Sequence, residues 1–192
     1  MSPPAANVAN QVVKQAWRAL QPYQRTLLEG IGAGQWRVAD RALGAVVSEL
    51  LRSAGSRQLA GERLKALDDS LGVWVPELRV MLINASHPKF EGLDESSFAA
   101  AISDVAWHEW GHALSLDRAD NDEIKRGPKL LELAPPGIAE NVRSGCYVPS
   151  QVTHELVANL FATLTARRQA GGEGKPEWLE EQLWTLVKKT TE

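Results

Sequence analysis

The sequence predicts a mostly helical α+β protein, and three observations predict it. Long stretches without proline carry apolar residues at helical spacing, one stretch near residues 73–84 is β-branched and aromatic instead, and two later helical stretches place imidazole and carboxylate groups at regular intervals. With 192 residues, 44% hydrophobic and 23% charged, the chain has the composition of a globular protein and is long enough to bury a core. We expect an N-terminal helical extension, residues 1–72, packed on a core of residues 73–192.

Residues 5–20 place Val8, Val12, Val13, Ala16, Trp17 and Leu20 at helical spacing, so the first element is an amphipathic helix with a core-facing side. Pro22 and the glycines at 30, 32 and 34 punctuate the next stretch. A second helix is expected over 35–53, with Val38, Ala42, Leu43, Val46, Val47, Leu50 and Leu51 buried, and a third over 58–70. Then come the runs Val73-Trp74-Val75 and Leu78 to Asn84, separated by Pro76; they read as two short strands or one interrupted edge strand. His87, beside Pro88, reads as a turn residue.

The next helix has Asp94 or Ser96 as its cap and Glu95 in its first turn, and no proline interrupts it as far as Leu116. Trp107, Trp110 and Leu114 form an apolar ridge on it, with His108 and His112 on a neighbouring face. Asp104, one turn before His108, reads as a solvated carboxylate, with support of that imidazole as the other possibility. Gly111 costs about 1 kcal/mol against alanine in a helix interior, so its place between the histidines predicts close approach by another backbone.

His108-Glu109-Trp110-Gly111-His112 is the stretch that carries chemistry. Residues four apart on a helix lie one above the other, so both imidazoles can reach one ion. Zinc takes neutral imidazole nitrogen, and a catalytic site needs a third protein ligand and an open fourth position. Glu109 is placed to take a proton from water rather than to bind the metal. The spacing is that of the zincin metallopeptidases.

Residues 117–150 are dense in Asp, Gly and Pro, with a short helix expected at 122–132; near a site, such a connection reads as a lid or specificity loop. A strong helix then runs from Ser150 to Gln169, with Glu155, Ala158, Asn159, Ala162 and Ala166 on one face. One carboxylate followed by small residues lets this helix pack close to the histidine helix and point its carboxylate at the metal. Glu155 is therefore the expected third ligand, ahead of Glu132 and Glu140 in breaker-rich sequence. His154 and Tyr147 are the candidates to donate to a tetrahedral oxyanion, and Asn159 to support the Glu155 carboxylate. Cys146 reads as a buried thiol, with an inhibitory thiolate ligand as the alternative, and a closing helix is expected over 177–190.

His108-Glu109-x-x-His112, with Glu155 on a later helix, resembles the gluzincins. More narrowly, Glu155-Leu-Val-Ala158-Asn159-Leu-Phe161-Ala162 resembles the ligand helix of the ImmA/IrrE family of small metallopeptidases. The resemblance covers residues 75–168 and implies a zincin-like core with a short edge-strand sheet. It also implies a Zn2+ cofactor and cleavage of a restricted intracellular protein or peptide substrate. Two departures stand out: the long interval from His112 to Glu155, and Thr163-Leu-Thr-Ala-Arg167-Arg168 where an apolar stretch is expected. A metzincin is disfavoured, because Ser115 and Arg118 stand where that extended motif needs glycine and histidine, and no later methionine can form its Met-turn.

Composition narrows the alternatives. A net charge of −3 lacks the basic excess of a dedicated nucleic-acid binder, so no nucleic-acid partner is expected. A single cysteine excludes an intramolecular disulfide and a Cys-rich zinc site. Met1 to Gln15 has no apolar leader and no segment has the length of a membrane span, which predicts a cytoplasmic protein without a membrane partner. The competing functional class is a catalytically silent, zinc-containing regulatory or peptide-binding module. It predicts a damaged general base, whereas Glu109 is intact.

Overall fold

The computed structural model describes residues 3–118, 121–134, 136–145, 151–171 and 181–183. Its contacts divide the chain into two compact units, residues 1–109 and 110–192. The line between them falls inside a single helix.

In the first unit, α1 (Pro3–Ala19) buries Ala9, Val12, Val13 and Ala16, as the apolar spacing predicts. Val8, expected on the same side, is 37% exposed. A helix that the proline and glycines conceal comes next: α2 (Pro22–Gly30) starts with proline, whose fixed φ suits the first turn. The Gln21 main-chain N–H donates to Gln24 Oε1 at 2.9 Å, satisfying one donor at that end.

Trp36–Ala39, expected as the start of a helix, is strand β1. It lies parallel to β3 (Val80–Asn84), with Trp36 opposite Met81 and Ala39 opposite Asn84. The N–H groups of Met81 and Ala85 donate to the carbonyls of Gln35 and Ala39, each at 3.0 Å. A partner this distant in sequence leaves no local signature, so the apolar spacing of 38–51 looks continuous when only its later part is helical. That part is α3 (Leu43–Ser53), which buries Leu43, Val47 and Leu51 on one stripe. A short α4 (Gly61–Leu67) packs on α3. Gly44 is required at that crossing, since a Cβ there would fall within 3 Å of the Leu64 carbonyl carbon.

The strand reading of residues 73–84 resolves to two strands. They are β2 (Gly72–Val75) and β3, joined through the 3-10 turn Pro76–Leu78 and paired antiparallel with Gly72 opposite Ile83. The sheet order β1-β3-β2 makes β3 central, and all five of its residues are buried. On one face Val80 and Leu82 join Ala39, Leu43, Val47, Leu51 and Val75 in a single core cluster. Fully burying a residue such as Leu82 contributes about 1.5–3 kcal/mol.

α5 (Glu95–Arg118) crosses from the first unit into the second. In the second unit, α6 (Asn121–Leu133) and α7 (Pro136–Gly145) both pack on α8 (Val152–Gln169). The interval expected as a lid or specificity loop is thus largely helical. Its helices bury Gly127, Ile138, Ala139 and Val142. The expected closing helix lies mostly outside the described residues; 181–183 are helical, with Leu183 buried. Among the described residues no helix is long and apolar enough to cross a membrane.

Candidate metal centre

α5 begins where Asp94 caps it: the Ser97 N–H donates to Asp94 Oδ1 at 2.7 Å. These hydrogen bonds to the ionised form hold the Asp94 carboxyl below the ordinary carboxylate value. The expected ridge is buried throughout, at Trp107, Trp110 and Leu114, and the Trp107 indole N–H donates to the Ala16 carbonyl at 3.3 Å. His108 and His112 sit beside that ridge, half-buried on one face of the same helix.

Glu155 comes from the first turn of α8. The backbone of α8 does approach Gly111: a Cβ on that glycine would stand 2.5 Å from Ala158 Cα and 3.1 Å from Phe161 Cβ. Gly111 and Ala158 therefore set the separation of the two helices, three residues from Glu155. One consequence is that Glu155 Oε1 lies 3.4 Å from His112 Nε2. A ligand atom from each of His108, His112 and Glu155 lies within 4.8 Å of the others. Two ligands of a tetrahedral ion with bonds of about 2.05 Å stand about 3.3–3.4 Å apart. The His112 to Glu155 spacing has that length, and two imidazoles with one carboxylate are a donor set zinc accepts. These three residues could hold a divalent metal ion.

Glu109 is buried, with 7% exposure, yet it makes no hydrogen bond or ion pair to any described residue. Its side chain lies against the start of β2, where a Cβ on Gly72 would be 2.8 Å from Glu109 Cγ and 3.1 Å from Oε1. Only a residue without a side chain lets the strand pass that close to the carboxylate.

The other candidates separate. His154 Nδ1 is 3.0 Å from Ser115 Oγ, and that hydroxyl donates to the His112 carbonyl at 3.1 Å. The Ser115 hydroxyl thus bridges the His154 ring and the main chain of α5. Burial, and then the neighbouring His112, lower the His154 pKa. His154 does not join the group of potential metal ligands. Tyr147 and Cys146 lie outside the described residues. Asn159 donates its side-chain amide to the main-chain carbonyl of Glu155 at 2.8 Å, so it braces the helix backbone and not the carboxylate as expected.

Glu132 and Glu140 are exposed and outside the ligand group. Asp104 is exposed and makes no hydrogen bond to His108, in line with a solvated carboxylate; partial desolvation raises its pKa. His87 is committed to its turn, with Nδ1 accepting from the Lys89 N–H at 3.1 Å and Nε2 3.2 Å from the Asp69 carbonyl. Two residues that matter here, Gly72 and Ser115, escape the sequence reading. Gly72 gives only the signal of a glycine opening a strand, and Ser115 none beyond a polar residue one turn after His112 on an apolar stripe.

No family model, no curated protein and no solved structure matches the chain.

Proposed function

We propose that the protein is a zinc-dependent metallopeptidase that cleaves an extended segment of a protein or peptide. The observation that carries the reading is the convergence of His108 and His112 of α5 with Glu155 of α8, beside a buried α5 carboxylate, Glu109, that no described residue engages. His108, His112 and Glu155 would hold the ion. When bound, zinc supplies Lewis acidity, polarising a carbonyl oxygen and bringing the pKa of water at the fourth position towards about 7.

Glu109 accepts the proton of the attacking water on its carboxylate and returns it to the departing amine. Burial beside Gly72 keeps that carboxylate in one place and free of competing donors. The substrate class follows from β2. The Asn84 N–H donates to the Leu71 carbonyl at 2.8 Å, which makes 71 and 84 a hydrogen-bonded pair. By alternation, Gly72 and Trp74 turn their N–H and C=O groups away from β3. Among the described residues no strand pairs with that edge. An extended peptide can add there by main-chain hydrogen bonds, next to Glu109.

The test is metal analysis and peptide cleavage on the wild type, Glu155→Ala and Glu109→Gln. We expect Glu155→Ala to lose zinc. Glu109→Gln should keep one equivalent and lose about 10²–10⁴-fold in cleavage rate. Full zinc in Glu155→Ala overturns the ligand assignment. Wild-type cleavage by Glu109→Gln overturns the mechanism, and a wild type that binds zinc and peptide without cutting makes the protein a binding module.

A further inference from the structure

The hydrogen bond between His154 and Ser115 has a use that the ligand set alone does not explain. Gly111 meets Ala158, His112 meets Glu155 and Ser115 meets His154. As the first number of each pair rises the second falls, so α5 and α8 run antiparallel along this seam. The contact of Gly111 with Ala158 fixes how close the helices come. A single point of contact leaves α8 free to turn about that point and to slide along α5. Either motion would carry Glu155 away from His112.

The second point of contact lies at the end of the seam beyond Glu155. Ser115 is fully buried, and its hydroxyl is tied to the main-chain carbonyl of His112, itself a ligand residue. His154 immediately precedes Glu155 on α8 and reaches the same hydroxyl. Resting on the metal-site reading, we propose that His154 is a positioning residue: the hydrogen bond between its Nδ1 and Ser115 locks the register of α8 against α5 and so places the Glu155 carboxylate for the metal. With Gly111 and Ala158 on one side of the His112 to Glu155 pair and Ser115 and His154 on the other, the ligand pair is held from both ends.

The atom that matters is Nδ1, and substitution can separate it from Nε2. An asparagine amide nitrogen occupies nearly the position of Nδ1, whereas a glutamine amide extends towards Nε2. The experiment measures zinc affinity by chelator competition and the visible spectrum of the cobalt-substituted protein, for wild type, H154A, H154N, H154Q, S115A and S115A/H154A. Thermal unfolding of each metal-free protein is recorded alongside. Loss of a group supporting a metal ligand costs about 10–100-fold in affinity. We expect H154A and S115A each to fall in that range, the double variant to fall no further, and H154A to shift the cobalt bands. H154N should restore both readouts and H154Q should restore neither.

Wild-type affinity and spectrum in H154A, additive losses in the double variant, or rescue by H154Q but not H154N each overturns the proposal. H112A separates this failure from failure of the metal reading, since loss of the ion there with unchanged H154A indicts only the clamp. If the wild type binds no zinc, the clamp is still decided by the metal-free proteins: coupled unfolding shifts at 115 and 154 support it, and additive shifts overturn it.

Discussion

Gly111→Ala gives the sharpest test of how the candidate site is built, because two effects on one residue have opposite signs. Helix propensity alone favours alanine by about 1 kcal/mol. Sterics oppose it. The new Cβ would stand 2.5 Å from Ala158 Cα and 3.2 Å from the Ala158 carbonyl oxygen, and both partners are backbone atoms that no rotamer change can move. Ordinary carbon contacts are about 3.5–4.0 Å, so the two helices must part by about 1 Å at this point. Overpacking of this kind costs about 1–3 kcal/mol, so the metal-free protein should lose up to about 2 kcal/mol net.

The effect on metal should be larger in proportion, since ligand distances tolerate only about 0.2 Å. Glu155 lies one turn from the point of contact, and its 3.4 Å spacing to His112 would open with the helices. We expect zinc affinity to fall at least about tenfold, or about 1.4 kcal/mol. Chelator competition and thermal melts of the metal-free protein measure the two quantities. Because the clash is with a Cα, adding Ala158→Gly should not restore affinity. A Gly111→Ala protein that is more stable and binds zinc as tightly as wild type would refute the reasoning.

Gly72→Ala presses on side chains instead, at 2.7 Å from Val105 Cγ1 and 2.8 Å from Glu109 Cγ, so it should displace the carboxylate while sparing the metal. Peptide cleavage should drop at least about tenfold with zinc content unchanged, a split that metal analysis beside kcat/KM would read. Leu82→Ala empties a fully buried position in the central strand and should destabilise the protein by about 2–5 kcal/mol in denaturant titration; a loss under about 1 kcal/mol would show that the sheet core is loosely packed. Asp94→Ala carries a pH signature. The folded carboxyl titrates below its ordinary 3.8, so the cap's contribution is fully present above that value and disappears as pH falls through the lower, folded value. The melting difference between wild type and Asp94→Ala should hold steady above that window and shrink inside it. A difference that grew with acidification would contradict the cap.

What the sequence made legible was whatever a single helix or strand decides locally. The face shared by His108 and His112 and the apolar ridge of Trp107, Trp110 and Leu114 follow from a period of 3.6 residues. Glu155 was legible for a related reason. A carboxylate followed by Ala158 and Ala162 on one face is a surface that only close helix packing explains, and Gly111 is its counterpart on the other helix. Elements decided by distant partners were not legible. β1 is four residues whose pairing with β3 is the whole of its signal, and α7 opens on Pro136-Gly137, a pair that reads as a break although proline suits a first helical turn.

The histidines show where local reading ends. All four can be found in the sequence, but their tasks depend on which ring nitrogen keeps its proton, and that is set by atoms from other elements. At His87 the Lys89 N–H occupies Nδ1, which forces the proton to Nε2 and spends the ring on a turn. At His154 the partner is the Ser115 hydroxyl, which lies 3.0 Å from Nδ1 and ties the ring to the other helix. The His87 ring is engaged at both nitrogens, and the His154 ring is held at Nδ1 and lies outside the converging ligand group. The two that remain, His108 and His112, are those whose ring atoms converge with a carboxylate from a second helix. Convergence in space, which no single helix displays, thus separates these two histidines from His87 and His154.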